Sequence, residues 1–485
     1  MRRANVWLLG FALLIGLPAP GKATVREWLM ERAGINPTVL RSTPSVRLYG
    51  MGDPILSVRD EANELNAHDF GGNIAGLLAD SDDWVLESWI GNHRQDYERA
   101  AFSSERRYGH AGFHAVYRGA DRALGAEVNW TYFQSNDADG DWRRVRGPLI
   151  SALVNQEVGP VTLGLIVGTE HERESLITTD FFGITHKQDR WIGQLGAATE
   201  LFGLQLGAGW DFEAGEVLGM SEDPDRYHED SYTWQRPLDR YSFFAILPLR
   251  GRLTGGVRAS TMDREGDELA EISWSDDSPQ NPSGTDYFGE AITFAEEERE
   301  TRLSTRWRFE LQPGTLFGLE VGYRETELDV VEAVNFKGSR RGGYRSDEGL
   351  FGGLGVSGRF FTQRLLVALE GRGALEDWEI ADEDGFAETG SARSLGGGLG
   401  AEYFVHPYLV VRAGVWAFSH DRDVDRPLTL LLQQSYSGGF SWLPQGGLMQ
   451  LHGGVRFDTR SPDESQAPLE DSSVVSYMLG FRLLP

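Results

Sequence analysis

The feature that most constrains this chain is a period-two rhythm that returns in segment after segment. In 204–212, Leu204, Leu206, Ala208, Trp210 and Phe212 share one parity; Gln205, Gly207, Gly209 and Asp211 share the other. The same pattern fills 124–132, where Leu124, Ala126, Val128, Trp130 and Tyr132 oppose Gly125, Glu127, Asn129 and Thr131. It fills 317–324 as well, where Phe317, Leu319, Val321 and Tyr323 oppose Gly318, Glu320, Gly322 and Arg324. Successive side chains of a strand point to opposite faces, so each segment presents one apolar face and one polar or glycine face. These segments are about 10 residues long, enough to cross a bilayer at a tilt, and their aromatics gather toward the ends. Soluble sandwiches also alternate, but in strands of about 5–6 residues.

The connections order these segments. Short turns are expected at 119–122, 159–160, 202–203, 248–251, 312–314, 361–363, 405–407 and 443–447. Between them fall long acidic connections rich in Gly, Asp and Ser: 93–106, 136–143, 174–188, 214–236, 264–299, 330–346, 379–390, 421–432 and 459–470. Strict alternation of short and long connections marks an outer-membrane barrel with periplasmic turns and extracellular loops. The reading is all-β: a transmembrane antiparallel up-and-down β-barrel of 16–18 strands over residues 82–485, with 18 the best count. Backbone groups cannot be left unpaired in hydrocarbon, so only helices or closed barrels span it, and no segment beyond the N-terminus is apolar enough for a helix. The last segment alternates Val475, Tyr477, Leu479, Phe481 and Leu483, a terminal strand of the kind the barrel assembly machinery reads, although the chain ends Leu-Leu-Pro.

Composition agrees. Of 485 residues, Gly 60 and aromatics at 11% are high, Cys is 0, and the net charge is −27. The absence of cysteine excludes disulfide scaffolds, thiol catalysis and thiolate metal sites, and the acidity argues against nucleic-acid binding. At the start, Met1-Arg2-Arg3, an apolar run from Val6 to Leu17 and small residues up to Ala23 form a secretory signal peptide over 1–23. The run is too short for the roughly 20 residues of a membrane-spanning helix. Export to the bacterial outer membrane is expected, with lipid and lipopolysaccharide as surroundings.

Residues 24–81 break the rhythm. They carry Arg47, Gly50, Met51 and Gly52, then Asp60-Glu61-Ala62, then Asn73, Ala75, Gly76 and Leu77 before the first strand. This run resembles the start of the long-chain fatty-acid transporter (FadL) superfamily of outer-membrane barrels, which includes secretion-subunit relatives. Ile74 stands where that family has proline. The resemblance covers about 45 residues and implies that 24–81 forms a hatch or plug. It also implies a fatty-acid-like solute and a barrel of typically 14 strands, against the 18 counted here.

Assigning the polar parity to the interior places Arg118, Arg252, Arg258, Arg302, Arg306, Arg308, Arg324, Arg372, Arg412, Arg456 and Arg482 on the inner wall. Glu127, Asp211, Glu310, Glu320, Glu370 and Glu402 face the same way, so the wall leans cationic. Two readings stand. Inward arginines attract anionic solutes in a narrow pore, or they pair with inward carboxylates and an acidic hatch. Same-strand alternations such as Arg308/Glu310, Glu320/Arg324 and Glu370/Arg372 favour wall networks. Inward apolar residues are scattered: Val116, Ile166, Leu366, Val410 and Trp416.

No cofactor is expected. His110 and His114 stand at i and i+4 of one strand, about 13 Å apart and too far to share a metal. His171, His186 and His228 lie near loop carboxylates without a nucleophile in evident register, so an enzyme is not expected. The function expected is passage of a small hydrophobic, amphipathic or anionic solute behind a hatch; the alternative is a non-transporting structural or secretion-accessory barrel.

Overall fold

The computed structural model describes residues 83–483 except 100–101, 138–139, 178–182, 224–227, 236–237, 248–252, 276–285, 288–290, 335–338, 384, 424–428, 445–448 and 463–471, together with Met51, Leu56 and Val58. The expected signal peptide, the hatch positions Arg47, Gly50, Gly52, Asp60, Glu61, Asn73 and Gly76, and Arg252 lie outside the described residues. Of Arg118 and Arg482 only the strand position is described.

The strands in chain order begin with β1 (Asp83–Arg99), β2 (Phe102–Arg118), β3 (Arg122–Asp137), β4 (Gly140–Val158), β5 (Val161–Ile177), β6 (Gly183–Leu201) and β7 (Leu204–Asp223). Then come β8 (His228–Gln235), β9 (Leu238–Leu247), β10 (Leu253–Ser275), β11 (Asp286–Tyr287), β12 (Ala291–Gln312) and β13 (Thr315–Val334). The last are β14 (Ser339–Phe360), β15 (Leu365–Asp382), β16 (Ala387–His406), β17 (Leu409–Asp423), β18 (Thr429–Trp442), β19 (Met449–Pro462) and β20 (Ser472–Leu483). Each wall strand pairs antiparallel with the next, and β1 pairs with β20 from Leu86↔Leu483 to Tyr97↔Ser472, which closes the wall. Strands β8 and β9 share one wall position, since both pair with β7 and with β10. The sequence between them is Arg236-Pro237, and proline has no N–H to give a ladder. The two-residue β11 pairs only with the end of β10. The result is a closed antiparallel barrel of 18 strands, as the alternation of connections predicts.

The polarity of this wall is inverted relative to a soluble protein. Along β15, Glu370, Arg372 and Glu376 are buried on the inner face while Leu369 and Leu375 are more than half exposed on the outer one. Leu303, Leu354, Leu395 and Val455 are exposed in the same way on other strands. An outward band of leucine and valine above a charged interior fits hydrocarbon outside and makes this a membrane-spanning barrel.

The strands are longer than the rhythm indicates. β10 runs for 23 residues and β12 for 22, whereas a tilted strand needs only about 9–11 to cross. Much of what reads as long loops is therefore paired wall: β1 and β2 pair up to Arg99↔Phe102, and β10 and β12 up to Glu271↔Ala291. The cause shows in β13 and β15, where the apolar parity switches sides. Val321 and Tyr323 face out, but Leu328 and Val330, further along β13, are buried inside with Asp329 exposed outside. In β15, Trp378 and Ile380 are buried inside while Asp377 and Glu379 are exposed. Beyond the apolar band the wall stands in water and follows the soluble rule, apolar inside and acid outside, so the outward apolar rhythm stops while the hydrogen-bonded ladder continues.

Candidate functional site

The inner face near the short-turn end holds part of the N-terminal segment. Met51, Leu56 and Val58 are at most 2% exposed. Met51 and Val58 pack with Leu366 and Ala368, two inward positions at the start of β15. The backbone N–H of Leu56 donates to Glu370 Oε2 at 2.9 Å. The wall sequence makes room for this contact. A Cβ at Gly318 of β13 would run into the Leu56 carbonyl, one at Gly400 of β16 into the Met51 carbonyl, and one at Gly353 of β14 would stand 2.9 Å from Leu56 Cδ1. Glycine removes the side chain at the places where another backbone lies against the sheet.

Around this seat the interior is built of ion pairs. Arg372 Nε donates to Glu370 Oε1 at 2.7 Å, so one carboxylate holds both the wall arginine and the N-terminal segment. Arg412 Nε donates to Glu402 Oε2 at 2.8 Å and Arg412 Nη1 to Ser441 at 2.6 Å. Arg306 bonds Glu320 at 2.9 Å, Arg324 bonds Glu300 at 2.9 Å, and Arg456 bonds Asp458 at 3.2 Å. Arg308 is buried, and Glu310 accepts from the Gly314 N–H at 3.4 Å in the turn below. Of the same-strand alternations in the sequence, Glu370 and Arg372 do pair, but Glu320 pairs with Arg306 of β12 and Arg324 with Glu300 of β12. Residues i and i+2 of one strand stand about 6.6 Å apart, whereas cross-strand neighbours stand about 4.5–5.5 Å apart, so the neighbouring strand competes well for a partner.

Among the described residues, three inward arginines on one patch of β9, β10 and β12 have no carboxylate at bonding distance: Arg240 of β9, whose Nη2 meets Met262 Sδ at 3.2 Å, and Arg258 and Arg302. Arg258 of β10 and Arg302 of β12 each bury an Nε without a partner. The Arg302 guanidinium lies over the Phe351 ring at 4.9 Å. Sequence parity places both on the wall but cannot separate them from the paired arginines. It also passes over Arg345, which is buried, pairs with Asp347 and stands 6.0 Å over the Trp378 ring. The position of Arg345 in a stretch read as loop hid it, although Arg345-Ser346-Asp347 carries the alternating charges of a wall pair.

The histidines fall differently from the sequence candidates. His171 pairs with Asp189 in an exposed position. The histidines set against hydroxyls are His420, 2.8 Å from Ser394 Oγ, and His452, 2.7 Å from Ser441 Oγ. Among the described residues no group of three or more potential ligands gathers to hold a metal.

No family model and no curated protein sequence matches this chain. Among solved structures it is similar to the toluene transporter TodX of Pseudomonas putida, with 12% identity over 90% of this chain and 96% of that one and a TM-score of 0.37. It is similar to the CymD monoaromatic hydrocarbon channel, with 15% identity, 90% and 96% coverage and a TM-score of 0.36. It is also similar to the ferric citrate transporter FecA in its unliganded form, with 9% identity, 83% and 79% coverage and a TM-score of 0.39. The likeness in each case is one of barrel architecture.

Proposed function

We propose that this chain is an outer-membrane transport barrel that passes a small amphipathic solute, with residues 24–81 acting as a hatch near the short-turn end. The observation that carries this reading is the burial of Met51, Leu56 and Val58 against the inner face of β13–β16, fixed by the Leu56–Glu370 hydrogen bond. A structural barrel has no need to bring its own N-terminal segment into the lumen, whereas a regulated conduit does. At the loop end of the inner wall Leu328, Val330, Trp378 and Ile380 are each at most 4% exposed, packed rather than open, which favours a closed interior over a water-filled pore for polar solutes. Short turns face the periplasm in barrels of this kind, so the apolar half is the outer half.

The test is single-channel conductance in a planar bilayer, comparing the full chain with a form lacking residues 24–78. Silent or small steps for the full chain and large stable steps for the truncated one support the hatch. Equal conductance in two forms that both migrate as folded barrels overturns it.

A further inference from the structure

We propose that Arg258 and Arg302, with the hydroxyls beside them, form an oxyanion-binding seat on the inner wall of β9, β10 and β12. This deepens the transport reading and rests on it, since it places a polar group of the cargo at a defined height in the lumen.

The argument starts from an exception. Arg306, Arg324, Arg345, Arg372, Arg412 and Arg456 each meet a carboxylate. Among the described residues Arg240, Arg258 and Arg302 meet none at bonding distance; Arg240 leans on Met262 Sδ, while Arg258 and Arg302 each keep a buried Nε without a hydrogen bond, as the paired Arg306 also does. The carboxylates nearest in register are engaged elsewhere: Glu300 by Arg324 and Glu320 by Arg306. Asp211 and Glu300 face the lumen in the next row toward the loop end, level with Arg240 and Met262. Arg258 and Arg302 are half-buried, with Asp211, Glu300 and Glu320 near enough to attract them but none bonded to them, and a partly desolvated guanidinium gains from an anion at bonding distance. Two together call for an anion brought from outside.

The register gives the seat its shape. Arg302 stands directly across from Ser260, and Ser260 across from Ser242. Arg258 is two residues from Ser260 on the same face, so Arg258 and Arg302 are diagonal neighbours with backbones about 7–8 Å apart. Ser242 is 1% exposed and its hydroxyl has no partner. Two cations and an unsatisfied buried hydroxyl on one patch supply the donors an oxyanion accepts. The Arg302 guanidinium lies 4.9 Å over the Phe351 ring, which leaves hydrogen bonding to its edge rather than to the face against the ring. Directly across from Arg258 is Phe244, clustered with Ile246 and Ala198, so an apolar surface adjoins the charged one. The chemistry is that of a carboxylate or a phosphate, carried by an organic solute or free in solution.

The test is calorimetric titration of the full-length protein in non-ionic detergent with hexanoate, with hexanol and with inorganic phosphate. The seat predicts saturable binding of hexanoate or phosphate, weakened at least tenfold in Arg258→Gln/Arg302→Gln. Hexanoate alone identifies an organic acid with its tail on Phe244, and phosphate alone identifies a free anion. The unfolding midpoint of the double variant is measured alongside, so that lost binding in a folded barrel is distinguished from a lost fold. No saturation by either anion, hexanol binding as tightly as hexanoate, or affinity unchanged in the variant overturns the seat. Those outcomes leave the conductance difference on truncation untouched, so the two readings fail separately.

Discussion

Glu402 and Arg412 face each other across β16 and β17, Nε to Oε2 at 2.8 Å, with side chains only 2% and 3% exposed. Neither charge has water to fall back on. The pair holds the inner wall beside the seat of the N-terminal segment, and Arg412 ties a third strand, β18, through Ser441.

Removing one partner strands the other. Arg412→Ala is expected to lower barrel stability by about 3–5 kcal/mol, the usual loss when a buried pair is broken from one side. Replacing both, as Glu402→Leu/Arg412→Met, is expected to recover most of it. Urea unfolding in detergent, followed by the heat-modifiable gel shift, measures both; equal stability of single and double variants contradicts the pairing.

The cross-strand pair of Arg306 with Glu320 makes a charge swap informative. Arg306→Glu places two carboxylates together and is expected to destabilise the wall, and Glu320→Arg in the same chain should restore it. A pore-lining arginine without a partner would instead shift ion selectivity toward cations and gain nothing from the second change.

Gly400→Val fills the space now taken by the Met51 carbonyl. The strand itself tolerates valine, so the barrel should form and the N-terminal segment should leave its place. Faster proteolytic cleavage of the N-terminal region and a larger conductance are expected, with the barrel fragment itself still resistant. Unchanged conductance would argue that the segment does not block the lumen.

The outward face can be tested at Leu399, which is 47% exposed and pairs with Leu369 across the wall. Leu399→Arg is expected to cost about 2–4 kcal/mol in lipid, the range for a basic residue near the bilayer midplane. Refolding equilibria in phosphatidylcholine vesicles give the number, and a cost near zero would move the apolar band elsewhere.

The barrel itself was legible because membrane solvation writes a rule into every strand: odd residues such as Val321 and Tyr323 in β13 meet lipid, and Glu320 and Arg324 do not. The rule lapses where the wall leaves the bilayer. At Leu328 and Val330 the apolar residues change parity, and a reading based on outward apolar residues ends the strand there, as it did for β14 before Arg345. That loss also hid the apolar packing on the inner side of the loop end, which made the inner wall look more polar in sequence than it is. Partner choice is legible where the pair lies two residues apart on one strand, as for Glu370 and Arg372, Arg345 and Asp347, and Arg456 and Asp458. Arg324 and Glu300 are too far apart in sequence for any local pattern to join them; only the register of β12 against β13 does. The glycines at 318 and 400 carry a signal in principle, since each interrupts the inner parity, but nothing in a single chain says what passes over them.

The pairing of β1 with β20 has a consequence for how the molecule comes into being. The two strands that seal the wall sit at opposite ends of the barrel sequence, so the hydrogen-bonded ring cannot close before the last strand arrives. Until then two raw edges remain, each able to zip onto a stranger. Contacts this distant in sequence also form slowly. A nascent copy must therefore keep both edges covered, and joining the seam is the step that commits the chain to a finished wall.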